Sequence, residues 1–486
     1  MPQLRDSGTR SLHATEPVPS AEMDGFCRIF GVETEYGVAV TGAERPVDAG
    51  QVAMTMFQPI VSRSRSTNTY LANGSRLYLD VGSHPEYATA EARDPREALA
   101  QDLAGEHVMR NLALKAQRKL RESYGAHATI HVFKNNVDSA GHAFGCHENY
   151  LVRRFVPLET IEHQLLPFLI TRQLYTGASR MTPDGFQITQ RADFLDEAVS
   201  SATTRSRPMV NTRDEPHADP DSFRRLHVII GDSNRSQWST WMKLAVTHLV
   251  LCAIEDAFRH GVPSGFEQYA FADPAAANRT VSRFLDNPRA ELTLESGESV
   301  SALGLQRRYY AAVKAFIETH GDALAGSLPA TTIDTIMGEW SRVLDALERG
   351  AYDALADRVD WAAKKRLFDA LKRRRPDVTF AQMEQLELDY HDIANGRLYG
   401  SLVARNQMRE LLTGDNVEYA VHNPPTDTRA ALRGRFVDAA LNVGAQFSAD
   451  WTHLTLTAPE RREAILLDPF EAEPTLGFEQ LMEALN

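Results

Sequence analysis

One predicted strand carries side chains of varied chemistry on a single face. The stretch at residues 75–91 reads SRLYLDVGSHPEYATAE. Within it, Arg76, Tyr78 and Asp80 alternate with leucine and valine, and alternate residues of a β-strand point to the same side. One face therefore presents a guanidinium, a phenol and a carboxylate, and Glu86 follows after a short turn. Such a face can bind a cation through its acids and an anion through its arginine.

A second pair of acids, Glu33 and Glu35, lies two residues apart in a predicted strand, so the two side chains share a face. Carboxylates this close repel each other, and burying them unpaired costs free energy. The pair is stable if its face is solvated, or if a divalent cation lies between the two groups. The flanking apolar residues indicate a mostly buried strand and favour the cation: Ile29, Val32, Val38 and Val40.

Together the two stretches supply four carboxylates, a tyrosine and an arginine. Hard divalent ions such as Mg²⁺ prefer oxygen ligands of this kind, whereas Arg76 can bind a phosphate in a fork. Acids for Mg²⁺ beside an arginine for phosphate are what a nucleotide-dependent phosphoryl transfer requires. The sequence contains neither a Walker A motif nor a kinase-type glycine-rich loop, so we expect an ATP site of another kind.

Two further segments could bind an anion or a second ion. In RRLHVIIGD, residues 224–232, Arg225 and His227 share a strand face. They could contact a phosphate or, through the histidine, a second metal, although an ordinary histidine at a strand end explains the same pattern. The loop at residues 199–219 has hydroxyl side chains and three arginines, which suit an anion but are also common in exposed loops: Arg205, Arg207 and Arg213.

The segment FGCHENY, residues 144–150, places a cysteine directly before a histidine. Neighbouring residues of a strand point to opposite faces, so Cys146 and His147 cannot act as a nucleophile and its base on one face. We therefore predict a structural role for this segment.

Strands and helices must position these residues, and the patterns predict both. Strands are expected at residues 28–41, 75–91, 128–134, 147–154, 224–232 and 452–457. Helices are expected at residues 96–122, 157–177 and 428–443, and a mainly helical region at 238–395. The segment 199–219 is predicted to be a loop, because it shows almost no apolar periodicity.

Composition excludes several classes of protein. The chain has 486 residues, 43% of them apolar, which is enough for more than one domain. A net charge of −13 argues against non-specific nucleic-acid binding. The three cysteines form no C-x-x-C pair and fit a reducing cytoplasm. The apolar run at 244–254 is too short to span a membrane, and residues 1–27 are predicted to be a disordered tail.

Longer motifs resemble the Pup ligase and Pup deamidase family, which is similar to carboxylate–amine ligases of the glutamine synthetase kind. The motifs that carry the resemblance are RIFGVETEYG, NGSRLYLDVGSHPEYATAE, FKNNVDSAG, GCHENYL, NTRDEPHAD, RRLHVIIGDSN, LDYHDIANGR, ALRGRF and DWTHL. The resemblance implies an α+β fold, with an antiparallel sheet that cradles ATP and Mg²⁺ and is packed by helices. We expect this large domain at residues 28–415 and a small C-terminal α+β domain at 416–486.

The resemblance also implies roles for individual residues. Asp80 would be the catalytic base. The metal ligands would be Glu33, Tyr78 and Glu86, and the ATP contacts would be Arg76, Thr89 and Trp451. Additional metal or phosphate contacts could come from Glu35, Arg225 and His227. Glu86 and Thr89 are three residues apart, so either the strand bends between them or one acts through its backbone.

The function implied is ATP-dependent ligation of the C-terminal glutamate of the prokaryotic ubiquitin-like protein Pup to substrate lysines, through a γ-glutamyl phosphate. The expected partners are Pup, lysine-bearing proteins and the proteasome pathway in the cytoplasm, without nucleic acid or membrane. A hydrolase of the same fold and a module that only binds Pup are the alternatives. The sequence DVGSHPEY is similar to the ligase branch of the family, and the intact acids argue against a binding module.

Overall fold

The fold is described from a computed structural model of the chain. The structure describes residues 25–80, 84–138, 141–201, 207–458 and 460–485. Three features named above lie outside these residues: positions 1–24 of the predicted tail, the turn at 81–83, and Arg205.

The strands are β1 Phe30–Glu35, β2 Gly37–Thr41, β3 Asn68–Tyr70, β4 Arg76–Leu79, β5 Pro85–Ala88, β6 Thr129–Phe133, β7 Cys146–Arg153, β8 Arg180–Thr182, β9 Gly185–Gln187, β10 Glu197–Ser200, β11 Pro208–Asn211, β12 Phe223–Val228, β13 Glu291–Thr293, β14 Ser299–Ser301, β15 Gln446–Ala449, β16 His453–Ala458 and β17 Arg462–Ile465. The helices are α1 Ala49–Ser64, α2 Pro95–Tyr124, α3 Leu158–Thr171, α4 Gln173–Thr176, α5 Gln237–His260, α6 Pro274–Ser282, α7 Ala302–Ala325, α8 Ile333–Glu348, α9 Asp360–Arg374, α10 Phe380–His391, α11 Leu398–Ala404, α12 Gly414–His422, α13 Ala430–Val443 and α14 Leu476–Glu483.

A large sheet organises the described part of the chain, with strand order β10-β11-β12-β7-β1-β5-β4-β3. Every neighbouring pair in it is antiparallel except β10 and β11. One face is apolar and packs on helices: Val32, Tyr150 and Leu226 join a core with α3 and α5. Toward β4, Leu77 and Tyr87 join a second core with α2. The other face of the sheet is therefore left for polar side chains.

The C-terminal residues form a smaller α+β unit with a core of its own. Strands β15, β16 and β17 make a three-stranded antiparallel sheet against α13 and α14. Tyr70 of β3 also contributes to this core, so the unit is packed against the edge of the large sheet. The α+β fold class and the helix and strand predicted for this region are confirmed. The domain boundary between residues 415 and 416 stays a prediction.

Two predicted elements are divided at points where the sequence predicted no break. The expected strand at 28–41 is two strands, because β1 pairs within the large sheet whereas β2 pairs with β6 in a separate sheet. The expected helix at 157–177 is interrupted at Arg172, a buried residue whose guanidinium pairs with Glu148 at 2.5 Å. The first division does not follow from local periodicity, because it depends on which strands pair.

Other boundaries were wrong in part. The predicted loop at 199–219 contains the end of β10 and all of β11, and the predicted strand at 224–232 already ends at Val228. The mainly helical region at 238–395 includes the hairpin β13–β14. The helix α1 was not predicted, and it contains Pro59, a residue that usually breaks a helix interior.

Gly105 of α2 allows the helix to approach the sheet, and its replacement by alanine should destabilise the fold. A Cβ at this position would lie 2.5 Å from Cδ1 of the buried Tyr87, whose neighbour Glu86 lies on the polar face of the sheet. Overpacking of this kind costs about 1–3 kcal/mol, more than the roughly 1 kcal/mol that alanine gains over glycine in a helix.

Thermal unfolding should therefore show a lower midpoint for Gly105→Ala. The matched control is Gly338→Ala in α8, where an added Cβ meets nothing within 4 Å and the midpoint should hold or rise. Equal thermal unfolding midpoints for Gly105→Ala and Gly338→Ala would contradict close packing at Gly105.

Candidate active site

Strand register brings the polar side chains of the free sheet face into rows. Glu35 on β1 lies opposite Glu86 on β5, and Glu86 lies opposite Tyr78 on β4. In the other direction, Glu33 lies opposite His147 on β7. Because opposing residues of antiparallel strands point to the same side, all five side chains share the free face.

The first cluster on this face consists of three carboxylates. Oxygens of Glu35, Asp80 and Glu86 lie within 4.8 Å of one another. Asp80 directly follows β4, and its backbone N–H donates to the carbonyl oxygen of His84 at 3.0 Å. Burial, and then the nearby charges of Glu33 and Glu35, raise the pKa of the Glu86 carboxyl well above its ordinary value.

These residues fit a divalent cation. Three carboxylates within a few ångströms repel one another, and a bound dication removes that repulsion. Tyr78 adds a phenol oxygen that is hydrogen bonded to Glu86, and burial followed by the charges of Glu33 and Glu86 raises its pKa far above the usual range. A donor set made only of oxygens matches Mg²⁺ rather than a softer metal.

The second cluster centres on Glu33. Its carboxylate lies 3.3 Å from Nδ1 of His147 and 3.7 Å from Nε2 of His227, and Arg225 donates to it at 3.4 Å. Burial alone would raise the pKa of Glu33, but the hydrogen bond with His147 and the charges of His227 and Arg225 hold it below its ordinary value. Burial, followed by the charge of His147, lowers the pKa of His227 to about 3.

Sequence reasoning missed His147. We predicted a structural role for its segment, and Cys146 is indeed buried in the core. The adjacent His147 points to the opposite face and meets Glu33 there. Alternation along β7 was a usable signal, but only the pairing of β7 with β1 identifies Glu33 as its neighbour.

A cleft adjoins the second cluster, between the large sheet and the C-terminal unit. Its lining includes Glu33, Thr89 and Trp451, so two of the three predicted ATP contacts lie in one cavity. Thr89 follows the last residue of β5, and its hydroxyl accepts a hydrogen bond from the backbone N–H of Val32 at 3.0 Å. On a regular strand Glu86 and Thr89 would point to opposite faces, and this regular alternation therefore ends at Ala88.

The third predicted ATP contact, Arg76, lies opposite Ala88, which also lines the cleft. Its guanidinium carbon lies 4.2 Å from the centre of the Tyr78 ring, and its Nε donates to Oδ1 of Asn68 at 2.9 Å. Arg76 therefore lies between the cleft and the carboxylate cluster, with its side chain held by stacking and one hydrogen bond.

Comparisons with known proteins agree with one another. The family model described as Pup-ligase protein matches residues 28–455. A Pup–protein ligase of Bifidobacterium longum (strain DJO10A) is 98% identical over the full length of both chains. A Pup–protein ligase of Saccharomonospora viridis is 44% identical, covering 92% of this chain and 97% of its own.

Solved structures of Pup ligases also match this chain. The complex between Pup and its ligase PafA matches with a TM-score of 0.85 and 36% identity, covering 95% of this chain and 92% of that one. PafA in complex with ADP matches with a TM-score of 0.77 and 37% identity, covering 92% and 95%. Among the described residues, no helix is long and apolar enough to cross a membrane.

A mainly antiparallel sheet, with helices on one face and clustered acids beside a cleft on the other, is an α+β ligase fold that the chain shares with solved Pup ligases. The comparisons also specify the family. The chain belongs to the Pup ligase family.

Proposed function

We propose that this chain joins the C-terminal glutamate of Pup to lysine side chains of proteins, with ATP as the second substrate, and so marks those proteins for the proteasome. Two solved relatives support this function, one in complex with Pup and one with ADP. The observation that carries it is a single sheet face on which Glu33 adjoins both the carboxylate cluster and the cleft that Thr89 and Trp451 line.

The chemistry requires activation of a carboxylate, because a carboxylate and an ammonium group do not condense in water. An oxygen of the C-terminal glutamate side chain of Pup attacks the γ-phosphorus of ATP, and ADP leaves. The lysine nitrogen then attacks the acyl carbon of the γ-glutamyl phosphate, phosphate leaves, and an isopeptide bond forms. One ATP is consumed for each bond.

Glu33, Tyr78 and Glu86, with Glu35 beside them, would hold Mg²⁺. The ion, when bound, neutralises negative charge on the phosphates. Arg76 would bind the transferred phosphoryl group through its guanidinium fork. Arg225 and His227 are additional candidates for a phosphate or a second ion, because both already meet Glu33 at the edge of the cleft.

Asp80 would accept the proton that the lysine loses. Lysine has an ordinary pKa of about 10.4, so it is protonated at neutral pH and becomes a nucleophile only when a base removes a proton. Asp80 is exposed at the end of β4, where a lysine of another protein can reach it. Proton transfer during the attack, when the nitrogen is already acidified, suits a carboxylate base.

A mixture of this protein, Mg-ATP, Pup and a lysine-bearing protein tests the proposal by intact mass. A product at the summed mass minus one water, with ADP formed in step, is expected. Release of Pup from a preformed conjugate without new adduct would assign the chain to the hydrolase alternative. No binding of Mg-ATP would leave only the Pup-binding module. The cytoplasm is the proposed location, supported by three free cysteines.

Trp451→Ala should weaken ATP binding more than it slows turnover. The indole lines the cleft beside Thr89, where it can pack against a nucleotide base. Loss of base stacking costs about 1–3 kcal/mol, so KM for ATP should rise roughly 5- to 150-fold, and kcat should change little. Steady-state ADP release measures both, and Trp451→Phe, which keeps an aromatic ring, should stay close to wild type. A fall in kcat at unchanged KM would contradict a binding role.

A further inference from the structure

Glu91, a buried acid just beyond β5, binds two arginines of the C-terminal unit. Its Oε1 lies 2.8 Å from Nε of Arg429, and its Oε2 accepts a hydrogen bond from Nη2 of Arg433. Arg429 caps α13 and Arg433 lies in its first turn, so one carboxylate fixes the start of this helix. Burial alone would raise the pKa of Glu91, but the charges of Arg433 and Arg429 lower it to about 2.

Each arginine in turn holds one wall of the cleft. Arg429 donates to the carbonyl oxygens of His217 and of Leu466, the latter at 2.8 Å. His217 lines the cleft and has a φ of 49°, a left-handed conformation that is uncommon for non-glycine residues. The hydrogen bond from Arg429 to its carbonyl oxygen helps to hold it there.

Arg433 holds the opposite wall. Its guanidinium lies 4.9 Å from the ring centre of Trp451 and donates to the carbonyl oxygen of Trp451 at 3.3 Å. The same group donates to the carbonyl oxygen of Gly74, at 3.0 Å from Nε and 2.9 Å from Nη2. Arg433 thus connects Trp451 to the turn between β3 and β4, the strand pair that carries Arg76.

We propose that Glu91 is a positioning residue for nucleotide binding, acting through Arg429 on His217 and through Arg433 on Trp451. This inference rests on the proposed function, because it takes the cleft to be the ATP site. Without the carboxylate, two buried guanidinium groups would repel each other with no counter-charge, and the start of α13 would move from the sheet. The two cleft walls would then lose their alignment, although neither acid cluster is touched.

The test compares Glu91→Gln with Glu339→Gln. Glu339 is also a buried acid shared among arginines, with Arg358 at 3.2 Å and Arg409 at 3.3 Å, and none of the three lines the cleft. Both variants should lower the thermal midpoint. Only Glu91→Gln should raise the Kd for Mg-ATP and the KM for ATP, by about tenfold or more, as loss of an outer supporting partner does, with a smaller change in kcat.

A second variant covers the case in which Glu91→Gln does not fold. Arg433→Lys keeps the charge beside Glu91 but loses the fork that reaches Trp451 and Gly74, and it should raise KM for ATP with kcat retained. Unchanged Mg-ATP binding in the folded variants, or equal weakening by Glu339→Gln, would overturn the inference while leaving the ligase function intact. Failure of the wild-type chain to bind Mg-ATP would overturn both.

Discussion

Replacing Asp80 with asparagine will abolish ligation and leave Mg-ATP binding intact. The amide has nearly the same shape as the carboxylate but cannot accept a proton from the attacking lysine. General-base catalysis contributes about 10²–10⁴-fold to a rate, so conjugate formation should fall by at least two orders of magnitude. Titration with Mg-ATP and intact-mass measurement of the conjugate separate the two effects.

The position of Asp80 sharpens this expectation. It belongs to the carboxylate cluster with Glu35 and Glu86, yet it is the exposed member, at the end of β4. Removing its charge therefore leaves Glu35 and the buried Glu86 in place. Asp184→Asn, at an exposed turn between β8 and β9, is the matched control and should ligate like wild type. A wild-type rate for Asp80→Asn would remove this residue from the mechanism.

The residues that sequence reasoning placed correctly are those whose arrangement is local. Alternation with a period of two put Arg76 and Tyr78 on one face, and the same rule put Glu33 and Glu35 together. Both pairs share the free sheet face in the structure. Periodicity sufficed because each pair lies within one strand.

What the sequence could not supply is which strands become neighbours. Glu33 was grouped with the other acids, yet in the structure it also meets His147 and His227, which are 114 and 194 residues away along the chain. Those contacts depend on β1 pairing with β7, and β7 with β12, which no local pattern encodes. For the same reason no local pattern shows that Glu91 pairs with the arginines of α13.

Glu86→Gln should make the metal-free protein more stable and the enzyme much less active. Glu86 is 4% exposed and lies directly opposite Glu35, so two carboxylates repel across a strand pair once Glu86 is ionised. Relief of one such pair is worth on the order of 1 kcal/mol. In the presence of EDTA the variant should therefore unfold at a higher temperature than wild type.

The effect should depend on pH in a defined direction. The pKa of Glu86 is raised in the folded state, so the folded protein binds a proton more tightly than the unfolded chain does. Wild-type stability should then decline as pH rises from the ordinary glutamate value, about 4.3, toward the raised one, and remain reduced above it. Glutamine does not ionise, so the advantage of the variant should grow over this interval and then stay constant.

Mg²⁺ should reverse the order of stability, because an ion that binds only the folded state stabilises it by mass action. Mg²⁺ should raise the thermal midpoint of wild type, with its full set of carboxylates, more than that of Glu86→Gln. Ligation by the variant should fall about 100-fold or more, because a metal ion supplies several kcal/mol to the transition state. Glu463→Gln on β17, an exposed strand position, controls for the loss of one charge and should change neither property. If Mg²⁺ stabilised both proteins equally, Glu86 would not be a ligand, and the raised pKa of its carboxyl would reflect only its burial and the neighbouring acids. Stabilisation by Mg²⁺ that requires Glu86 would instead mean that the repulsion between these acids is compensated by a cation that belongs to the active site.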